Sequence, residues 1–413
     1  MEFILNLSAD ELDHFVAEHP NGHYMKTSFW ADYLANKEGY HYTLTGIKDD
    51  DRLVGTAVLL VKKTWFMTKP YIYLPTGMCL DYQNRDYLEF FIVSLIDYAK
   101  SQQAVFLRID PNVLRCHRDI LGKRIDDGYS NEWLTQYLIE CGFKHKGYGY
   151  AYNGSWINRY TLMIDLEPSM EQIIAKFTKS KQNVLKRQKQ MGISTRYGTE
   201  EDLPYLVAFE WELTKTQGFK PHKVAFFKDL LTGLKEYIHL YVTEVNLSVY
   251  ITNLQEEIDS NKYRKDPEAL TSKKQEIINA RQLKAQYGEQ VVIAVGMFVR
   301  YAHKSWDLYT YNRKDFNNFK ATDYLHAFVI DDMKRHGVRL YDMVGFSGVT
   351  EKRDPYYGLY DYKRSFGSDF YEHIGQFDYV IDEKQYTWFN QTQYQIKRFR
   401  RKLFRILYKK DKD

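Results

Sequence analysis

Apolar residues along the chain switch repeatedly between a helical and a strand period, and the elements they predict come in the same order twice. Residues Ala9 to Glu18 and Ser28 to Lys37 read as helices. HYTLTGI and LVGTAVLLVKK flank a charged turn at 48–51 and predict a hairpin, with YIYLPTG as the next strand. Leu88, Phe91, Ile92, Leu95, Ile96 and Ala99 mark one face of a helix before the strand AVFLRID. After the midpoint the order returns: a helix from Glu201 to Phe219, the strands IHLYVTEV, VVIAVGMFVRY and SWDLYTYN, a helix from Asp323 to His336, and the strand VRLYDMV. IDYAK before AVFLRID even matches IDDMK before VRLYDMV at nearly the same offset. Two copies of one α/β unit explain this.

Hairpin, strand, helix, strand is the order of the N-acyltransferase (GNAT-like) fold. Neither copy has the RxxGxG-type turn by which acetyl-CoA enzymes of that fold hold a pyrophosphate at a helix start. The second copy carries an insertion, 246–287, where the first has only a short turn. Leu247, Ile251, Leu254 and Ile258, then Leu270, Ile277, Ala280, Lys284 and Tyr287 after a break at Lys265 to Pro267, predict an antiparallel helical hairpin projecting from the sheet. A partner-binding arm and a structural spacer fit that pattern equally. The expected fold class is therefore α/β, with two tandem GNAT-like domains and a helical-hairpin (coiled-coil) arm in the second. The expected divisions are 1–155, completed by 375–413, and 156–374.

Composition narrows the chemistry. A chain of 413 residues is long enough for two or three domains. Cys79, Cys116 and Cys141 are far apart, with no CxxC pair and no histidine cluster at metal spacing, which argues for a reducing compartment and against a zinc site. His19 and His23 are separated by Pro20 and Gly22, so they belong to a loop. No GxSxG, HExxH, GxGxxG or P-loop pattern is present. The first residues, MEFILNLSADELDHF, lack a basic start followed by a long apolar run, and the longest apolar run, Val291 to Val299, is strand-length, so a cytoplasmic protein is expected. The net charge of +4 is a tail property: nine Lys or Arg against two Asp in residues 397–413 leave the remainder at −3. With Ile396, Phe399, Leu403, Phe404 and Ile406 interleaved, the tail predicts an amphipathic helix. Its cations, Arg398, Arg400 and Arg401 among them, can meet RNA or an anionic membrane face, or simply be solvated.

The stretch from Val338 to Ile381 combines glycines, aromatics and charges as no other does. A strand to Val344 leads through Gly345 and Gly348, then past Asp354 and Pro355 into Leu359 to Phe366, read as an alternating aromatic strand. Glycines after a strand fit a ligand loop at a sheet's carboxyl end. Alternation would send Tyr360, Tyr362 and Arg364 to one face and Asp361, Lys363 and Ser365 to the other. An aromatic edge strand with surface cations fits the same residues.

YDMVGFSGVT, GLYDYKRSFG and GQFDYVID resemble the closing region of the FemABX family, the transferases that use aminoacyl-tRNA to build the interpeptide branch of bacterial peptidoglycan. SFWADYLANKEGY, VFLRIDPNV and the charged helical insertion extend the resemblance over nearly the whole chain. It implies twin GNAT-like domains without coenzyme A, and no cofactor beyond aminoacyl-tRNA as co-substrate. Lys363 matches the family lysine with an electrostatic role in catalysis. Asp110, in LRIDPN, matches an aspartate proposed as a base, although an aspartate before proline also serves as a turn former. The family's phosphate-contacting lysine falls on Leu34, with Lys37 one turn later. Its arginine contact falls on His222 or Lys223, neither of which offers a bidentate guanidinium. Tyr309 and Tyr311 match an aromatic strand, with core packing as the alternative, and Tyr362 and Arg364 flank Lys363 as further substrate-binding candidates. Lys176 to Arg196 reads as one basic helix resembling the family's, with Lys186, Arg187 and Lys189 facing tRNA or only solvent.

What the resemblance implies is aminolysis of an activated ester. The side-chain amine at the third residue of a peptidoglycan stem peptide, on lipid II or UDP-MurNAc-pentapeptide, would attack alanine, serine or glycine carried by tRNA. The arm and basic tail imply peripheral contact with the inner membrane face. An acyl-CoA N-acyltransferase and a non-enzymatic RNA-binding scaffold are the alternatives that the residues leave open.

Overall fold

The computed structural model describes residues 1–149, 159–217, 220–260 and 262–408. The chain begins with β1 (Glu2–Leu5), α1 (Ala9–Glu18) and α2 (Ser28–Glu38). Ser8 caps α1 by accepting from Glu11 N at 3.2 Å, and Thr27 caps α2. β2 (His41–Asp49), β3 (Arg52–Lys62), β4 (Tyr71–Leu74) and β5 (Cys79–Leu80) follow. Next come α3 (Arg85–Ser101), β6 (Phe106–Ile109), α4 (Glu132–Glu140) and β7 (Phe143–His145).

The second half starts with β8 (Tyr160–Asp165), α5 (Met170–Lys176), α6 (Lys179–Lys186), β9 (Ile193–Tyr197), α7 (Leu203–Gln217) and α8 (Val224–Leu234). β10 (Ile238–Asn246) and β11 (Gln290–Tyr301) enclose two helices, α9 (Leu247–Asp259) and α10 (Pro267–Tyr287). β12 (Lys304–Asn312), α11 (Ala321–Arg335), β13 (Leu340–Phe346), α12 (Tyr357–Arg364) and β14 (Asp369–Glu372) complete it. β15 (Phe377–Val380) and α13 (Glu383–Tyr408) end the described chain. The boundary expected at 155/156, the end of the helix expected to reach Phe219, and residues 409–413 of the tail lie outside the described residues, as do the side chains of Arg400 and Arg401.

Two sheets result, ordered β1-β2-β3-β4-β6-β15-β7, with β5 on β3, and β9-β10-β11-β12-β13-β8-β14. The repeat read from the sequence is present in this order. Each sheet is antiparallel except for one parallel pair, β4 with β6 and β12 with β13. The first sheet also borrows a strand: the second half opens with β8, which stays in the second sheet, whereas β15 follows β14 in sequence but returns to the first. One apolar cluster runs across both halves, joining Leu12, Val16 and Tyr33 to Phe227, Leu230 and Trp306.

The helical insertion is rooted in the core. Leu247, Leu254, Ile277 and Ala280 are buried, and the Tyr250 ring meets Phe319 edge-on at 5.1 Å. Asn253 Nδ2 donates to Gln190 O at 2.9 Å, so α9 lies against the turn that follows α6.

Two expectations are corrected. The segment Leu359 to Phe366 is not a strand, since α12 covers it to Arg364. Tyr360 and Lys363, three apart, share the buried side of that helix, whereas alternation had put them on opposite faces and grouped Tyr360 with Tyr362. Lys176 to Arg196 is not one helix either. α5 stops at Lys176, Phe177 is buried, Thr178 caps α6, and after Gly192 at φ +63° the chain joins the sheet as β9.

Asp378 holds the borrowed β15 in place. It is fully buried and accepts from Arg108 on β6 at 2.7 and 2.8 Å and from the Tyr386 hydroxyl on α13 at 2.8 Å. Burial pushes its carboxyl up, but the Arg108 hydrogen bonds and charge hold it below the ordinary value. Its stabilisation is therefore complete above the unfolded carboxylate range and is lost as pH falls through the lowered native value. Asp378→Ala, which strands Arg108, is expected to lower the unfolding free energy by about 3–5 kcal/mol in urea titrations at neutral pH.

Candidate active site

Each parallel strand pair stops pairing early, and the two ends open into the same space. β4 and β6 pair only from Ile72↔Leu107 to Leu74↔Ile109, and β12 and β13 only from Lys304↔Leu340 to Trp306↔Asp342. Beyond these points lies a cavity of about 130 Å³. Thr76 and Asp110 reach it from the first sheet, Leu308, Asp342 and Val344 from the second. His23, Arg159 and His373 close it. The carboxyl ends of parallel strands are the usual ligand position in α/β sheets, and here two such ends face one another.

The carboxylates at this junction are held away from water. Asp110 accepts from the Tyr73 hydroxyl at 3.0 Å and from Thr76 N at 2.8 Å, and burial pushes its carboxyl up to about 8. Asp342 accepts from Val344 N at 2.7 Å and is pushed by burial to about 7. Asp307, next to Trp306 on β12, accepts from the Thr310 hydroxyl at 2.7 Å, and burial raises it to about 6. His326 is buried beside it, bonded through Nδ1 to the Tyr341 hydroxyl at 2.8 Å, and desolvation lowers it to about 3, so the ring is neutral. His373 is lowered by burial to about 4.

Lys363 occupies the gap from the α12 side. Its Nζ donates to the carbonyls of Met343, Val344 (3.0 Å) and Gly345 (2.9 Å). An ammonium has three hydrogens, and all three are used. The turn that presents these carbonyls carries Val344 at φ +60°, a conformation that a β-branched residue adopts only when its surroundings impose it. Asp342 secures the same turn from its other side through Val344 N. Burial lowers the Lys363 ammonium to about 8, with Asp307 and then Asp342 opposing the shift. Gly348, at φ +80°, lets the chain leave this turn against Tyr160, whose ring an added Cβ would meet at 2.4 Å.

A second, polar opening of about 690 Å³ lies on the other side of α12, at the start of α11. Ser180 and Lys181 of α6, Asn312, Lys320, Tyr362 and Arg364 line it. Lys181 pairs with Asp323 and sits 4.1 Å from the centre of the Tyr362 ring. Arg364 is bonded to Asp361 Oδ1. Lys363 thus stands between this cleft, lined by its two neighbours, and the cavity, lined by its partner Val344.

The remaining candidates fall elsewhere. His222, Tyr309 and Tyr311 gather around the buried Glu210, which accepts from His222 N (2.7 Å) and the Tyr311 hydroxyl (3.0 Å) and meets His222 Nδ1 at 2.7 Å. A bulge at Leu308 settles the register: Tyr309 pairs with Met297 and Asp307 with Phe298, so both tyrosines join Trp306 in one apolar cluster. Lys223 is exposed ahead of α8. Leu34 packs into the core, and Lys37 is exposed and paired with Asp229 at 2.8 Å. Asp229 lies seven residues beyond His222, roughly 10 Å along a helix, so Lys37 stands apart from that cluster. Lys186, Arg187 and Lys189 are exposed at the end of α6 and in the following turn, and Arg398 is exposed on α13.

Asp307, Asp342, His326 and Lys181 were not singled out from the sequence. The signal for the two aspartates was present, a lone acidic residue within each strand-like run SWDLYTYN and VRLYDMV, but the parallel register that sets Asp342 opposite Trp306, next to Asp307, was not. Among the described residues no group of His, Cys, Asp or Glu is arranged to hold a metal ion.

The FemAB family model matches residues 7–393. Aminoacyltransferase FemA of Staphylococcus aureus (strain bovine RF122 / ET3-1) is 25% identical over 404 residues, covering 92% of this chain and 96% of the relative. Lipid II:glycine glycyltransferase of Staphylococcus aureus (strain USA300) is 22% identical over 432 residues, covering 98% and 99%. The crystal structure of FemX superposes with a TM-score of 0.77 at 21% identity, over 94% of this chain and 99% of that one, and so shares the fold. With a match across nearly its whole length, the chain belongs to the FemAB family and is an aminoacyltransferase.

Proposed function

We propose that the protein transfers a small amino acid, alanine, serine or glycine, from aminoacyl-tRNA to the side-chain amine of the third stem-peptide residue of a peptidoglycan precursor, starting or extending the interpeptide branch. One observation carries this reading: two openings of different character meet at a single strand junction. The polar cleft, with Lys181, Lys320 and Arg364 and with the exposed Lys186, Arg187 and Lys189 continuing from α6, suits the ribose-phosphate end of the donor. The smaller cavity, with Asp110 and Asp342 in its wall, suits an alkylammonium. The activities that the relatives' names carry, aminoacyl transfer and lipid II:glycine glycyl transfer, fit a donor and acceptor of these kinds.

In the reaction, the amine nitrogen bonds to the ester carbonyl carbon and the bond to the tRNA ribose oxygen breaks. The nitrogen sheds a proton and the ribose oxygen gains one. A free alkyl amine holds its proton up to about pH 10.4, so a nearby base is needed. Asp342 and Asp110 are the carboxylates placed to take it, and burial has already brought both toward neutrality. Lys363 holds the β13 turn beside the reacting atoms and supplies positive charge behind the oxyanion. No cofactor beyond aminoacyl-tRNA is required.

The test is transfer of radiolabelled amino acid from charged total tRNA to lipid II and to UDP-MurNAc-pentapeptide, side by side. Product with either supports the reading and identifies the acceptor; none with both overturns it. Asp342 must be ionised to accept a proton and Lys363 protonated to hold three carbonyls. Transfer is therefore expected to rise with pH through about 7 and fall above about 8. Asp342→Asn should remove the rising limb near 7 and slow transfer by about 10²–10⁴-fold. Lys363→Met leaves three buried carbonyls without a donor, and should cost about 3 kcal/mol of stability in thermal or urea unfolding, with transfer reduced at least ~100-fold. Unchanged stability in that variant would show that the turn does not depend on the clamp.

A further inference from the structure

The loop after β3 meets α13 on a surface that the reaction does not use. Trp65 is 87% exposed there, more than any other large apolar side chain among the described residues. The loop beneath it is fastened. Thr68 N and Oγ1 donate to Gln385 Oε1 at 3.3 and 2.8 Å, Lys69 pairs with Asp382 at 2.9 Å, and Trp388 Nε1 donates to Phe66 O at 3.1 Å. The Phe66 ring also stacks on Phe389. Trp65 is thus presented to solvent on a braced loop.

α13 extends the apolar surface. Trp388 is 54% and Phe399 66% exposed, and eleven residues, three turns, place them on one stripe of the helix. The charge around them is one-sided. Glu38, Asp382 and Glu383 are each paired, with Lys62, Lys69 and Lys144. Lys63, Lys384 and Arg398 are exposed and form no ion pair with a described residue. Exposed tryptophans beside uncompensated cations match the headgroup layer of a membrane, where indole rings settle at the interface and lysine and arginine meet lipid phosphates. No helix of the described residues is long and apolar enough to cross a bilayer, so the contact is peripheral.

We propose that this face, Trp65 on its braced loop together with the exposed aromatics and cations of α13, docks the protein onto an anionic lipid bilayer. RNA would attract the same cations, but its attachment would be released by salt almost completely. Insertion of indole adds a component that salt does not remove.

The test is co-sedimentation of the full chain, without substrates, with vesicles of phosphatidylglycerol and phosphatidylcholine and with phosphatidylcholine alone. Binding to the anionic vesicles is expected, weakened but not abolished at high salt, with a blue shift of tryptophan emission. Trp65→Ala should lower the partition coefficient about tenfold, as expected for removing one interfacial aromatic, and leave the unfolding temperature unchanged. Failure to bind anionic vesicles would overturn the proposal, as would a Trp65→Ala variant that partitions like the wild type. Full release of the wild type by tRNA or salt would assign the face to nucleic acid instead. Because no donor or acceptor is present, the outcome is independent of the transfer reaction.

Discussion

Three carbonyl oxygens pointing into a water-poor junction must find donors, and at the end of β13 one ammonium supplies all of them. Without Lys363 the backbone from Met343 to Gly345 could not keep its curl, Val344 would leave the left-handed region, and the wall of the cavity would move. The same device recurs around the cavity. Lys26, almost wholly buried, donates to Asn21 O at 2.8 Å and Met78 O at 3.0 Å, and Lys304 donates to Pro20 O at 2.7 Å. Loops that meet between two sheets cannot satisfy their carbonyls through a ladder, so flexible cationic side chains take that role.

Those cations also set the electrostatics of the junction. Carboxylates as deeply buried as Asp110 and Asp342 tend to hold their protons; the Val344 N–H with Lys363 and Lys304 opposes that tendency at Asp342, and the Tyr73 and Thr76 hydrogen bonds with the Arg108 charge oppose it at Asp110, without quenching it through a direct ion pair. Elsewhere the buried charges are matched outright: Asp378 by Arg108, and Glu372 by Arg115, Arg118 and Arg159. The contrast separates groups that join strands and loops from groups left near neutrality, where a proton can move.

Much of the fold was legible because local and long-range signals agreed. α1 and α2 begin where Ser8 and Thr27 stand as caps, and the strand order follows from β-branched runs between turns. Where a segment is short, tertiary contacts decide. Tyr360 and Tyr362 fit a period of two, but Tyr360 packs between Phe346 and Phe370 while Tyr362 faces Lys181, and eight residues of helix give too little periodicity to reveal this. In the basic stretch, uniform charge masked the cap at Thr178 and the glycine at 192. Lys363 and Asp110 stood out through flanking residues, whereas Asp342, Asp307 and the Glu210 beneath His222 depend on strand register and helix packing that no local pattern records.

The return of β15 to the first sheet has a consequence for synthesis on the ribosome. The first sheet is complete only when Phe377–Val380 has emerged, some 230 residues after β7, which at ~5–20 residues per second is roughly 10–50 s. During that interval β6 and β7 have no strand between them, and the apolar face that Phe377 will cover is open to water. The amino-terminal half therefore cannot finish folding first, as a tandem repeat ordinarily would. Both halves must close together, and until they do the nascent chain carries an unpaired strand edge of the kind that chaperones shield.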